Sequence, residues 1–144
     1  ITTGAKKLID AVHAAGGKVG AVSGGFNQLL TPLAEILELD FARANQLEVV
    51  DGFLTGEVLG AIVDRQAKAD ALLEWAAATS TPIENTVAVG DGANDLPMLS
   101  IAGLGIAFRA KPLVKANAKQ AISTLGLDGI LYLLGVRDRD VELA

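Results

Sequence analysis

Val87-Ala88-Val89-Gly90-Asp91-Gly92-Ala93-Asn94-Asp95-Leu96-Pro97-Met98 is the stretch whose reading decides the fold. An apolar run rich in β-branched residues stops at Gly-Asp-Gly, and two carboxylates and an amide fall within the next five positions. The run reads as a buried parallel strand, which delivers Asp91, Asn94 and Asp95 to the carboxyl edge of a sheet. Open α/β sheets bind their ligands at that edge. Acidic oxygens gathered there suit a hard cation, and phosphate-handling sites commonly hold Mg²⁺ through one or two carboxylates.

Working outward, helical and extended patterns alternate, so we expect an α/β fold with a doubly wound, Rossmann-like parallel sheet. Leu8, Ile9, Val12 and Ala15 share one face of a helix over 4–15, which Gly16-Gly17 ends. Residues 18–22 read as a short buried strand closed by Ser23-Gly24-Gly25. A helix over 27–37 follows, with Pro32 expected in its first turn, where a missing N–H costs little. Residues 41–45 read as a second strand. Residues 47–50 and 54–59 flank Asp51-Gly52, a strong tight-turn signal, and read as a β-hairpin. Beyond an Ala-rich helix over 67–78 come strands at 86–89 and 104–108, with a helix starting at Leu96 between them. Helices near 112–119 and 129–134 and a short strand at Ala121-Ile122 complete the expectation.

Composition bounds the rest. The 144 residues fit one domain, 1–144, by the prior of roughly 100–200 residues per domain. A hydrophobic share of 51% argues against disorder. A net charge of −5 with scattered basic residues argues against a nucleic-acid groove or an anionic membrane partner. No apolar stretch approaches the roughly 18 residues of a membrane span, and residues 1–7 show no signal-peptide pattern. The absence of Cys excludes disulfides and thiolate metal sites and fits the cytoplasm. With a single His, His13, a zinc site lacks ligands, and His13 reads as a surface or satisfied helix residue.

Three further features carry chemistry. Ser23-Gly24-Gly25 lies between a strand and a helix, where backbone N–H groups and a hydroxyl suit a phosphoryl oxygen; an ordinary βα turn with a capping Ser has the same residues. Lys68 opens a helix and suits phosphate as a point charge, although most such lysines are solvated. Asp91, Asn94 and Asp95 also fit the turn and capping roles that Asn and Asp favour.

In combination the features become specific. Val22-Ser23-Gly24-Gly25-Phe26, Ala44-Asn45-Gln46-Leu47-Glu48, Asp51-Gly52, Thr55-Gly56, Lys68-Ala69, the 90–98 run, 102–107 and Ala110-Lys111-Pro112 together resemble the phosphoserine phosphatases of the haloacid-dehalogenase superfamily. The resemblance covers nearly the whole chain. It implies Mg²⁺-dependent hydrolysis of a small phosphomonoester, O-phospho-L-serine, through an aspartyl-phosphate. Ser23 and the Gly24 amide would bind the phosphate and Lys68 would neutralise its charge. Asp91 would ligate Mg²⁺, Asn94 would touch phosphate or substrate, and Asp95 would orient Lys68 or a metal-bound water. Phosphoryl transfer depends mainly on such positioning and charge neutralisation.

The resemblance also implies a nucleophile and general acid in an Asp-x-Asp at the end of a first strand, followed by a helical cap, and neither stretch is present. The one Asp-x-Asp, Asp138-Arg139-Asp140, follows Gly135-Val136-Arg137, not an apolar strand, and reads as a charged tail. We therefore expect these residues to be the core without its first strand and cap, and inactive alone. Related readings are a phosphatase or phosphotransferase for another phosphomonoester and a non-catalytic binding module of the same fold. A P-type ATPase domain fits less well, since Ser23-Gly24-Gly25 stands where its Thr-Gly-Asp turn belongs.

Overall fold

The structure is a computed structural model and describes residues 4–110 and the strand at 120–122. The helices expected at 112–119 and 129–134 and the charged run at 138–140 lie outside the described residues. Helix α1 (Ala5–Ala14) leads to β1 (Gly20–Phe26), α2 (Asn27–Leu37), β2 (Phe41–Val50), β3 (Phe53–Leu59) and α3 (Arg65–Ala78). Then follow a 3₁₀ turn (Ile83–Asn85), β4 (Val87–Gly90), a second 3₁₀ turn (Ala93–Asp95), α4 (Leu96–Ile101), β5 (Leu104–Phe108) and β6 (Gln120–Ile122).

Among the described residues, the strands of this α/β fold form two three-stranded sheets, one mixed and one parallel. In the first, the order is β1-β2-β3, with β1 parallel and β3 antiparallel to β2; in the second, β4-β5-β6 is wholly parallel. Among the described residues, β1 and β4 each have one unpaired edge.

One core nevertheless joins the two sheets. Ala88 of β4, Ala107 of β5, Ala69 of α3, and Met98, Leu99 and Ala102 at α4 pack together, and Val22 of β1 and Leu72 of α3 lie against them. Strand alternation places Ile106 and Phe108 on the opposite face, where Leu8 of α1, Val89 and Leu104 cover them. Helices thus cover both faces of the second sheet, as a parallel sheet requires. The small residues of the first cluster let α3 approach closely, which brings its first turn to the rim.

Three local expectations need correction. Residues 41–45 and 47–50 belong to one ten-residue strand, because the chain leaves its parallel partner β1 and takes up β3 without a break. Strand β1 continues through Ser23-Gly24-Gly25 as a bulge: Val22 pairs with Arg43 and Phe26 with Asn45, so three residues stand opposite Ala44 alone. Pro32 lies in the interior of α2, not its first turn, and removes one helical N–H there. The hairpin turn is as expected, with positive φ at both Asp51 (50°) and Gly52 (82°).

Candidate phosphate-handling site

At the carboxyl rim of the second sheet, β4 ends and the chain folds back on itself. Lys68 on α3 is 7% exposed and Asp95 6%. The Lys68 Nζ donates to Asp95 Oδ1 at 2.7 Å. The other carboxylate oxygen, Oδ2, accepts from the Asp91 amide at 3.2 Å and the Gly92 amide at 3.1 Å. Asp95 therefore closes the loop that carries Asp91 and binds it to the lysine. Gly90 makes this possible, since a Cβ there would stand 2.5 Å from the Asp95 Cβ.

A buried ammonium and a buried carboxylate would each be costly alone, and they are tolerated as a hydrogen-bonded pair. Local sequence explains the lysine's placement. Asp64 caps α3 by accepting from the Ala67 amide at 2.8 Å, so Lys68 falls in the helix's first turn, facing the rim. The reading of Lys68 as a solvated lysine is thereby excluded.

Asp91 is exposed, as is Asn94, whose Oδ1 lies over Gly92. Among the described residues no three His, Cys, Asp or Glu side chains cluster as a ready-made cage. Both Asp95 oxygens are engaged by the protein, so of the two carboxylates in the loop after β4 Asp91 is the exposed one. A single carboxylate completed by phosphate oxygens and water is a donor set that suits Mg²⁺.

The Ser23 bulge lies within the parallel strand β1 of the first sheet, between Val22 and Phe26. The Ser23 Oγ accepts from the Gly25 amide at 3.0 Å, and its own O–H remains able to donate. Gly24 faces the Val63 carbonyl, which a Cβ on Gly24 would meet at 3.7 Å. The turn thus abuts the segment that enters α3. Lys68, Asp95 and the Asp91 backbone are in direct hydrogen-bond contact, and the Ser23-Gly24 turn adjoins Val63, the residue before the cap of α3.

Residues 1–100 match the sequence profile of the haloacid dehalogenase-like hydrolases. The chain belongs to that family. This haloacid dehalogenase-like chain is 54% identical to a phosphoserine phosphatase of Streptomyces coelicolor, over 100% of its own length and 35% of the relative's. It is 48% identical to one from Streptococcus thermophilus, over 91% of this chain and 61% of the relative. The chain therefore spans between about a third and three-fifths of these relatives. Among solved structures, an unliganded probable phosphoserine phosphatase of Vibrio cholerae superposes with a TM-score of 0.92, at 45% identity, over 100% of this chain and 45% of that one. A phosphoserine phosphatase solved as an analogue of its phospho-aspartyl intermediate superposes with a TM-score of 0.86 at 44% identity, over 92% of this chain and 63% of that one.

Two contributors to the site escaped sequence reasoning. Gly90 reads there only as the end of a strand, yet its missing Cβ admits Asp95. Asn45 lies in one of the stretches that carry the resemblance, but no role attaches to it there. Among the described residues, no helix is long and apolar enough to cross a membrane.

Proposed function

We propose that the protein is a Mg²⁺-dependent phosphatase acting on O-phospho-L-serine through an aspartyl-phosphate. The observation that carries this reading is the buried Lys68–Asp95 pair, whose carboxylate also ties down the loop bearing Asp91. Similarity to phosphoserine phosphatases over nearly the full chain supports the substrate.

In this reading, Ser23 Oγ–H and the Gly24 amide hold phosphate oxygens at the bulge of β1. Lys68 projects its charge toward the same phosphoryl group while Asp95 fixes its position. Asn94 contacts the phosphate or the substrate from the turn after β4. Mg²⁺, held by Asp91, supplies neutralisation of phosphate charge. Charge that spreads over the equatorial oxygens is met by donors already in place, so little reorganisation accompanies the reaction.

In this reading the nucleophile lies on a segment that is not among these 144 residues. The unpaired edges of β1 and β4 support this. A parallel strand between them would end at the rim between Ser23 and Asp91, where an Asp-x-Asp would face the phosphate. The 144 residues alone are then expected to release no phosphate.

The test is phosphate release from a panel of phosphomonoesters by the protein carrying this segment, with and without Mg²⁺. Preferential turnover of O-phospho-L-serine, lost with Mg²⁺ removal and in Asp91→Asn, is the expected result. Turnover confined to another ester would replace the substrate. No turnover, with phosphate leaving the Ser23, Asp91 and Asn94 amide resonances unmoved, would favour a non-catalytic module.

A further inference from the structure

We infer that Asn45 is a positioning residue that sets the phosphate-binding turn and the entry to α3 relative to each other; the inference rests on the phosphatase reading of the site. Asn45 is 7% exposed and sits on β2 at the register position opposite Phe26, where β1 rejoins its ladder after the bulge. Its Nδ2 donates to the Gly24 carbonyl at 2.9 Å, and its Oδ1 accepts from the Val63 amide at 2.7 Å. One planar amide therefore spans the two segments that carry the phosphate ligands.

Each bond has a consequence further along. The peptide joining Gly24 and Gly25 is held at both ends, its carbonyl by Asn45 and its N–H by Ser23 Oγ. Fixing that plane fixes the N–H that holds the Ser23 Oγ in place. On the other side, Val63 immediately precedes Asp64, the residue that caps α3 and sets the register of Lys68. A shift of Val63 is transmitted through the cap to the ammonium group. Misplacements of about 1 Å at such distances from the reacting atoms cost roughly 100-fold in rate.

Asparagine is the side chain this geometry needs, because one position must donate and the other accept. A carboxylate keeps the bond from Val63 and turns the Gly24 bond into a repulsion between two acceptors. A protonated carboxyl regains the donor. Asn45→Asp therefore makes the position switchable by pH without changing its shape, which a residue that merely fills space would not reproduce.

The experiment compares kcat and KM of the parent, Asn45→Asp and Asn45→Ala, each in the protein that carries the nucleophile-bearing segment, on the phosphomonoester it turns over best, from pH 5 to pH 8. For Asn45→Asp, kcat/KM relative to the parent is expected to fall about 100-fold at pH 8 and to recover to within about tenfold at pH 5. Asn45→Ala is expected to stay low throughout. A ratio independent of pH, or equal to that of Asn45→Ala at both ends, overturns the inference.

The parent protein supplies a second measurement that needs no variant. The Asn45 side-chain NH₂ resonances are expected to move when inorganic phosphate with Mg²⁺ shifts the Ser23, Gly24 and Gly25 amides. Unmoved Asn45 resonances beside a responding turn remove the inference alone. A turn that ignores phosphate, in a protein that turns over no phosphomonoester, removes the phosphatase reading and the inference with it.

Discussion

The Lys68 ammonium and the Asp95 carboxylate meet at 2.7 Å with less than a tenth of either residue exposed. The pair joins α3 to the loop after β4, two elements 27 residues apart in the chain. Its second carboxylate oxygen holds the Asp91 and Gly92 amides, so one buried side chain organises both the lysine and the carboxylate assigned to Mg²⁺.

Removing one partner should therefore damage folding as well as activity. Lys68→Met leaves the Asp95 carboxylate buried without its cation, at an expected cost of about 3–5 kcal/mol. Urea unfolding of parent and variant at pH 7 checks this. A loss below about 1 kcal/mol, the range of a surface pair, would contradict the buried-pair account.

Asp91→Asn should behave in the opposite way. The side chain is exposed, so stability should stay within about 0.5 kcal/mol of the parent. In the protein carrying the nucleophile-bearing segment, phosphate release should become undetectable at Mg²⁺ concentrations that saturate the parent. A thermal melt and a phosphate-release assay on one preparation separate the two effects.

Gly90→Ala tests the fit between β4 and Asp95. The new methyl would stand 2.5 Å from Asp95 Cβ and 2.7 Å from its Oδ2, so the carboxylate must move. Overpacking of this kind costs typically 1–3 kcal/mol. The Asp91 and Gly92 amide resonances should shift with it, since both donate to that oxygen. Unchanged amides would place Asp95 elsewhere.

Acid sensitivity should arise away from the site, at Asp40. Partial burial acts to raise its pKa, but the Val19 amide and the His13 ring outweigh it and hold the carboxyl below the usual value. A carboxylate depressed in the folded state stabilises above its unfolded pKa, and this stability is lost as pH falls through the folded value. Asp40→Ala should cost about 1–2 kcal/mol at pH 7. The difference from the parent should shrink as pH falls below about 4, read from urea midpoints.

Much of the molecule was legible because local chemistry decides it. The Gly90-Asp91-Gly92 ending of an apolar run marks a strand at a sheet rim, Asp51-Gly52 marks a hairpin, and the apolar period over 5–14 marks a helix face. The sequence reading ends one strand at Asn45 and starts the hairpin at Leu47, so the two halves of β2 read as separate strands. Folded, Asn45 bonds Gly24 and Val63, and the Gln46 side-chain oxygen accepts from Asn27. Those partners lie up to 21 residues away, beyond the reach of any local pattern.

The sequence by itself determined the α/β alternation, the rim position of Asp91 and the candidate set Ser23, Gly24, Lys68, Asp91, Asn94 and Asp95. Tertiary structure alone decided that Lys68 is buried and paired, that both Asp95 oxygens serve the protein, and that Asn45 bridges Gly24 and Val63. The division has a physical cause. Strand endings, turns and helix faces follow from interactions within a few residues, whereas the fate of a buried charge or amide depends on which distant group packing brings to it.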